Sequence, residues 1–322
     1  MHIADLDVGE GFEGTLYLTK AEIRKTKAGK PYLACTFFDG QHEYAGNVWD
    51  YLQSNVPQEG VYKIMCFIGE FNGKKQLNNI VMQRAADQDT SAFVREYVPP
   101  LTLDDPKGVF DNYVRHIQSQ TIQNIVLEAF NYIGKDFYTG TSAAGMHHVG
   151  LHGNFYHTLE VTHIAINAGL AIKSMGYKVN MDLITAGALL HDIGKIATYC
   201  MDIAKIDLTM AGVLMDHVYL SARLVHDCPT SREFPEIANL LEHIILSHHS
   251  KKEFGSPVVP SMTEALVVTM ADGLSAAANQ VYLAVKKADD EGKTGPLTDR
   301  VFGLGNVAFV RSDYIQQLLS ET

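Results

Sequence analysis

The sequence predicts a multidomain protein, a small N-terminal β-barrel followed by an all-α helical bundle. Three observations carry this reading. Runs rich in β-branched and aromatic residues extend to about Arg84, a polar Pro-bearing stretch follows, and the apolar period then becomes helical. At 322 residues the chain is long for one core, and division into two domains is the natural expectation.

Residues 1–85 supply the barrel. GTLYLTKAEIRK and PYLACTFFD alternate loosely around Ala28-Gly29, and Asp39-Gly40 and Asn72-Gly73 are hairpin-turn dipeptides. The second turn is flanked by VYKIMCFIGEF and KKQLNNIVM, and WDYLQSN is expected as a short helix between the third and fourth strands. Five strands with one brief helix in that place suit a Greek-key barrel of the OB type. Residues 86–105 read as a linker (DQDTSAF, then VPPLTLDDP).

The helical bundle is expected over 106–288 and a C-terminal tail over 289–322. Val109, Tyr113, Ile117, Ile122, Ile125, Val126 and Ala129 keep i, i+3, i+4 spacing. No strand pair with a hairpin turn is expected before Val285, and DDEGKTGPLTDRVFGLG reads as an extended loop.

Composition narrows function. A net charge of −11 argues against a protein that coats nucleic acid non-specifically, while leaving room for a local basic groove. No apolar run reaches membrane-spanning length and the N-terminus has no secretion-signal core, so the expected location is cytoplasmic and no membrane partner is expected. Cys35, Cys66, Cys200 and Cys228 form no CxxC pair and read as buried thiols of a reducing compartment. Twelve of the fourteen histidines lie at or beyond His116, and histidine is the commonest metal-binding side chain.

The strongest local signal is ALLHDIGK, where His191-Asp192 ends an apolar helical run with Asp182 as its expected N-cap. Neighbouring helical side chains diverge by about 100°, so both reach one ion only from an edge of the helix. An ionised Asp beside Ala188-Leu189-Leu190 needs a compensating cation. His157 opens one helix, His217 follows an apolar turn, and His248-His249 close a third apolar segment. Asp272 is a lone carboxylate in a helix apolar on all sides, expected to be buried and opened by a Ser261-x-x-Glu264 capping box. His163, His226 and His243 read as packing or surface residues, and His147, His148 and His152 as a polar loop just upstream of the site, with a lining of the substrate entrance as the alternative.

This ordered set, H…HD…H…H…D, resembles the HD-domain phosphohydrolases. The resemblance implies two divalent ions, one held by His157, His191, Asp192 and Asp272, the other completed by His217 and His248 with Asp192 bridging. His249 replaces or joins His248 in some arrangements of this kind. Imidazole and carboxylate donors suit Mn²⁺, Fe²⁺, Zn²⁺ or Ni²⁺ better than Ca²⁺. Such a pair acidifies a water and clamps phosphoryl oxygens. Lys195, one turn past His191, is placed to touch a phosphate oxygen; its charge pattern fits a solvated helix-end lysine equally well.

In the barrel, Lys20, Arg24, Lys25, Lys27 and Lys30 cluster in the first hairpin, offset by Glu22. Most of its rings are needed for the core, which leaves Tyr32 and Trp49 as candidates to stack on bases. A charged hairpin also serves simply to block edge pairing. With LLEHIILSHHSKKEFGSPVVP behind it, the whole arrangement resembles the YhaM-type 3′-to-5′ exoribonucleases. That resemblance implies Mn²⁺-favoured removal of nucleotides from single-stranded RNA, with single-stranded DNA a further substrate and self-association allowed. Hydrolysis of free or cyclic nucleotides, or non-catalytic nucleotide sensing, are the competing readings. Asp216 stands where the family has Gly, and Thr198 and Ser275 stand where it has acidic residues; these departures bear on substrate preference more than on hydrolysis.

Overall fold

The structure, a computed structural model, describes residues 3–85, 90–100, 102–143, 145–203 and 205–320, so residues 86–89 and Leu101 of the expected linker lie outside the described residues. The chain divides into two compact units, Met1–Glu96 with Met201–Lys205, and Tyr97–Cys200 with Ile206–Thr322.

The first unit is a closed five-stranded barrel: β1 (Gly11–Lys25), β2 (Pro31–Phe38), β3 (Glu43–Trp49), β4 (Gly60–Phe71) and β5 (Lys74–Arg84). The strands run β1-β2-β3-β5-β4 around the barrel, which is OB-like, and every pairing is antiparallel except β3 with β5. Long β1 closes it by pairing first with β4 and then with β2, with a register shift between Leu18 and Lys20 where it bends. Alternate side chains (Leu16, Leu18, Leu33, Phe37, Ile64, Leu77) fill the interior. Asn72-Gly73 makes the β4–β5 turn with φ of 52° and 73°, the left-handed pair that such a tight hairpin demands. The expected helix at WDYLQSN does not form. Asp50 turns the chain at φ 51°, and the Tyr51 hydroxyl donates to Asn55 O, closing a loop where a helix would need a second turn.

The second unit is mostly helical, with α1 (Pro106–Arg115), α2 (Gln120–Ile133), α3 (Asp136–Thr139), α4 (Gly153–Ser174), α5 (Met181–Leu190) and α6 (Lys195–Thr198). A hairpin of β6 (Tyr199–Asp202) and β7 (Lys205–Leu208) follows in the chain, its Met201–Lys205 stretch belonging to the first unit. Then come α7 (Met210–Asp227), α8 (Pro229–Glu233), α9 (Pro235–Ser247), α10 (Thr263–Asp290) and α11 (Ser312–Ser320). The hairpin corrects the expectation of uninterrupted helix. It lacks an Asn-Gly type turn, bending instead near Ile203 at φ 30°, so it gave no turn signal. Central α5 is buried from Leu183 to Leu190 and packs against α2, α4, α9 and α10.

Two caps differ from expectation. Asn180, not Asp182, caps α5 by accepting from Leu183 N, while Asp182 accepts from Gln118 N and Ser119 N ahead of α2. Ser261-x-x-Glu264 is no capping box: Met262 is the N-cap, and Glu264 accepts from Asn180 N at 2.7 Å. Long-range backbone donors outbid the local ones. Nor is α10 buried all round, because Leu266, Met270 and Leu274 are exposed on the face turned from α4, α5 and α9. Cys200 is exposed, against expectation, while Cys35, Cys66 and Cys228 are buried. The tail is anchored by buried Arg311, which pairs with Asp289 and Asp313. Among the described residues no helix is long and apolar enough to cross a membrane.

Candidate metal centre

Four helix segments aim side chains at one buried point. α4 carries His157 in its second turn, the end of α5 carries His191 and Asp192, the end of α9 carries His248 and His249, and α10 carries Asp272 mid-helix. α7 adds His217 just past a break at Asp216, whose φ 63° and ψ 154° lie outside the helical region.

One group comprises His157, His191, Asp192 and Asp272. His157 Nε2 lies 3.1 Å from Asp272 Oδ1, 3.3 Å from Asp192 Oδ2 and 3.4 Å from His191 Nε2, and His191 Nε2 lies 3.2 Å from Asp192 Oδ2. Donors about 2.1 Å from a common ion sit about 3.0–3.4 Å apart, so this is the spacing of a ligand set. A second group comprises His217, His248 and His249. His217 Nε2 and His248 Nε2 approach the other Asp192 oxygen, Oδ1, at 3.5 and 3.6 Å. Asp192 thus turns one oxygen to each group.

The far nitrogens of these rings are all occupied. Nδ1 of His191, His248 and His249 donates to the carbonyls of Ala188, Ile245 and Phe254. Nδ1 of His217 faces Asp216 Oδ1 at 2.8 Å, and Nδ1 of His157 donates to Ser275 Oγ, which in turn donates to Glu160. Such partners fix the tautomer with Nε2 bare and directed inward.

Among the described residues, Asp192 Oδ1, His217 Nε2 and His248 Nε2 are buried with no hydrogen-bond partner, and Asp192 Oδ2 has none of good geometry although the Lys195 ammonium pairs with it. Leaving a carboxylate oxygen and two ring nitrogens in that state costs several kcal/mol, roughly, and a divalent cation relieves it. The donors therefore fit a metal, and their hard and borderline character suits a first-row ion. Lys195 is buried, not solvated, with Nζ 2.6 Å from Asp192 Oδ2. Burial by itself would raise the Asp192 carboxyl, but the Lys195 ammonium, His191 and His157 outweigh it and hold it well below the usual range. Burial likewise disfavours the Lys195 ammonium, and Asp192 more than compensates.

With this geometry in hand, the comparisons are informative. The HD domain family matches residues 154–277, a span that contains all six expected ligands. The helical unit carries an HD domain. Over 95% of its length the chain is 29% identical to the 3′-5′ exoribonuclease YhaM of Listeria welshimeri and 28% identical to that of Listeria innocua, covering 97% of each. The protein of the same name from Geobacillus sp. (strain WCH70) is 26% identical over 99% of this chain and 97% of its own. No solved structure matches the chain significantly.

The remaining site candidates lie in the barrel unit. Tyr32 and Trp49 are register partners across β2 and β3, their ring centroids 5.0 Å apart, and Trp49 is 54% exposed. Lys25 ends β1 and Lys27 sits in the following turn, both exposed. Tyr17 and Phe37 are core, as so small a barrel requires.

Sequence reading missed part of the centre. His148 is fully buried, its Nε2 2.9 Å from Glu160 Oε2, and the expected polar loop is an inner wall. Its backbone N–H donates to Asn279 Oδ1, and Asn279 donates to the Tyr97 hydroxyl. One signal was available: Glu160 lies three residues after His157, on the same helix face. His163 and His226 are exposed and His243 accepts from Ser261 N, all outside the centre as expected.

Proposed function

We propose that the protein is a metal-dependent 3′-to-5′ exonuclease that hydrolyses phosphodiester bonds of single-stranded RNA. The observation that carries this is the Asp192 carboxylate, whose two oxygens are divided between two histidine groups within one HD domain. His157, His191, Asp192 and Asp272 would hold one divalent ion, and His217, His248 and His249 with Asp192 the other. Bound there, the ions supply an acidified water as nucleophile and neutralise phosphoryl oxygens. Mn²⁺ is the proposed resident, because the donor set mixes imidazole with carboxylate and the resemblance to YhaM-type enzymes favours it.

The protein's own groups do the rest. The Lys195 ammonium keeps Asp192 ionised before any ion arrives, and a phosphate oxygen is its proposed further partner. Ala188, Ile245 and Phe254 carbonyls hold three rings in the donor tautomer, so no proton has to leave a ring on metal binding. In the barrel, exposed Trp49 against half-buried Tyr32 and the cations at Lys25 and Lys27 offer stacking and phosphate contacts to an unpaired strand. These are contacts any base can use, as an exonuclease that moves along its substrate needs.

The test is incubation of Mn²⁺-loaded protein with 5′-end-labelled RNA, single-stranded DNA, nucleoside triphosphates and cyclic nucleotides. A ladder shortening from the 3′ end of RNA is expected. Turnover of free nucleotides without a ladder would assign the catalyst a different substrate, and a ladder on DNA alone would reverse the sugar preference.

A further inference from the structure

A third group of ligand atoms lies beside the first, made by His147, His148 and His157. The loop before α4 brings it there. His148 Nδ1 and His147 Nδ1 are 3.2 Å apart. That is the separation of two nitrogens about 2.1 Å from a shared ion.

The surroundings of His148 repeat those of the rings already described. Its far nitrogen, Nε2, faces a carboxylate, Glu160, which also accepts from Ser275, the hydroxyl that holds His157 Nδ1. A carboxylate on the outer nitrogen leaves the inner one as a lone-pair donor, the arrangement that orients metal-binding histidines. His148 is fixed further by its backbone bond to Asn279 and is held at φ 48°, a left-handed conformation costing about 1–2 kcal/mol for such a residue. Outside the loop, Gly303 comes so close to Met146 that a Cβ there would lie 2.8 Å from its Cε. The segment carrying His147 is thus backed from the tail. A loop that served only as a covering wall would need none of these restraints.

We infer that His147 and His148, next to His157, form a third cation position beside the proposed pair, suited to a first-row divalent ion. Two imidazoles, with no carboxylate in their group among the described residues, favour Zn²⁺ or Ni²⁺ over Mg²⁺ or Ca²⁺. The remaining coordination places fall to water and to a phosphate oxygen of the nucleic acid. The position lies outside residues 154–277, so the HD domain match does not include it. It rests on the two-ion reading only for its neighbour, because its own two nitrogens come from the loop.

The test is a count of ions on the full chain by native mass spectrometry, with Zn²⁺ and separately Mn²⁺ titrated to saturation. Wild type is expected to hold three Zn²⁺ and His147→Ala two, the third dissociation constant rising at least tenfold. Asp192→Asn should lose the proposed pair. A wild type saturating at two, or a His147→Ala protein that still holds three, overturns the inference and leaves His147 and His148 as a hydrogen-bonded pair. Failure of the two-ion reading reads differently: Asp192→Asn then keeps the wild-type count, whatever His147→Ala does. His147 is partly exposed, so its removal spares the core, and thermal melting of the metal-free variant checks that it folds.

Discussion

Asp216 Oδ1 lies 2.8 Å from His217 Nδ1, and Asp216 reaches it from φ 63° and ψ 154° in the middle of α7. That backbone region is nearly reserved for glycine and costs a larger residue about 1–3 kcal/mol. The same carboxylate accepts from Val218 N at 3.0 Å. A strained residue thus fixes the ring that faces Asp192 Oδ1. Asp216→Gly should leave the melting temperature of the metal-free protein equal or higher, while weakening metal binding at the His217 group about 10–100-fold. Calorimetric titration checks the second part; unchanged affinity would reduce Asp216 to a turn residue.

Asp192→Ala should abolish RNA hydrolysis and bring metal content close to zero, since both groups lose their shared donor. Metal analysis of the purified variant beside the end-labelled assay gives the readout. Full activity would refute the assignment of Asp192.

Lys195→Met should destabilise the metal-free protein by about 3 kcal/mol, because it strands the Asp192 carboxylate in a buried site. Saturating Mn²⁺ should recover most of that loss by binding the folded state alone. Denaturant melts with chelator and with Mn²⁺ measure both values. Equal stability of variant and wild type under chelator would show that Lys195 does not support Asp192.

Stability should fall on the alkaline side. Burial pushes the Cys35 thiol up to about 12 and the Cys66 and Cys228 thiols up to about 11, from 9.0. Folded values above unfolded ones mean a contribution fully present below about pH 9 and lost as pH rises toward 11, where the unfolded chain releases protons that the folded chain keeps. Melting temperature between pH 8 and 11 should drop, and less steeply in Cys66→Val. A parallel drop in that variant would exclude the thiol.

Much of the barrel was readable because its signals are local. Asn72-Gly73 marked a turn, and β-branched and aromatic runs with loose alternation marked β1 and β2 as strands. The β3–β4 connection was misread since WDYLQSN has helix-compatible composition, and only the left-handed Asp50 excludes the helix. Caps failed similarly. Asp182 and Glu264 are good N-terminal residues by type, yet each spends its carboxylate on a backbone donor more than 60 positions away in sequence.

The six candidate metal ligands drew attention as a set, because His and Asp placed on or at the ends of successive apolar helices have little reason to be there without a partner. A resemblance to HD-domain proteins then put them in order, and half-buried Tyr32 and exposed Trp49 followed as candidates from how few rings a small core can spare. Tertiary structure alone decided which oxygen of Asp192 faces which histidines, that Lys195 is buried against it, and that His148 and Glu160 line the centre. Residue type and helical period specify which face of an element is apolar. They carry no information on distances between faces brought together from separate helices, and a metal centre is defined by those distances.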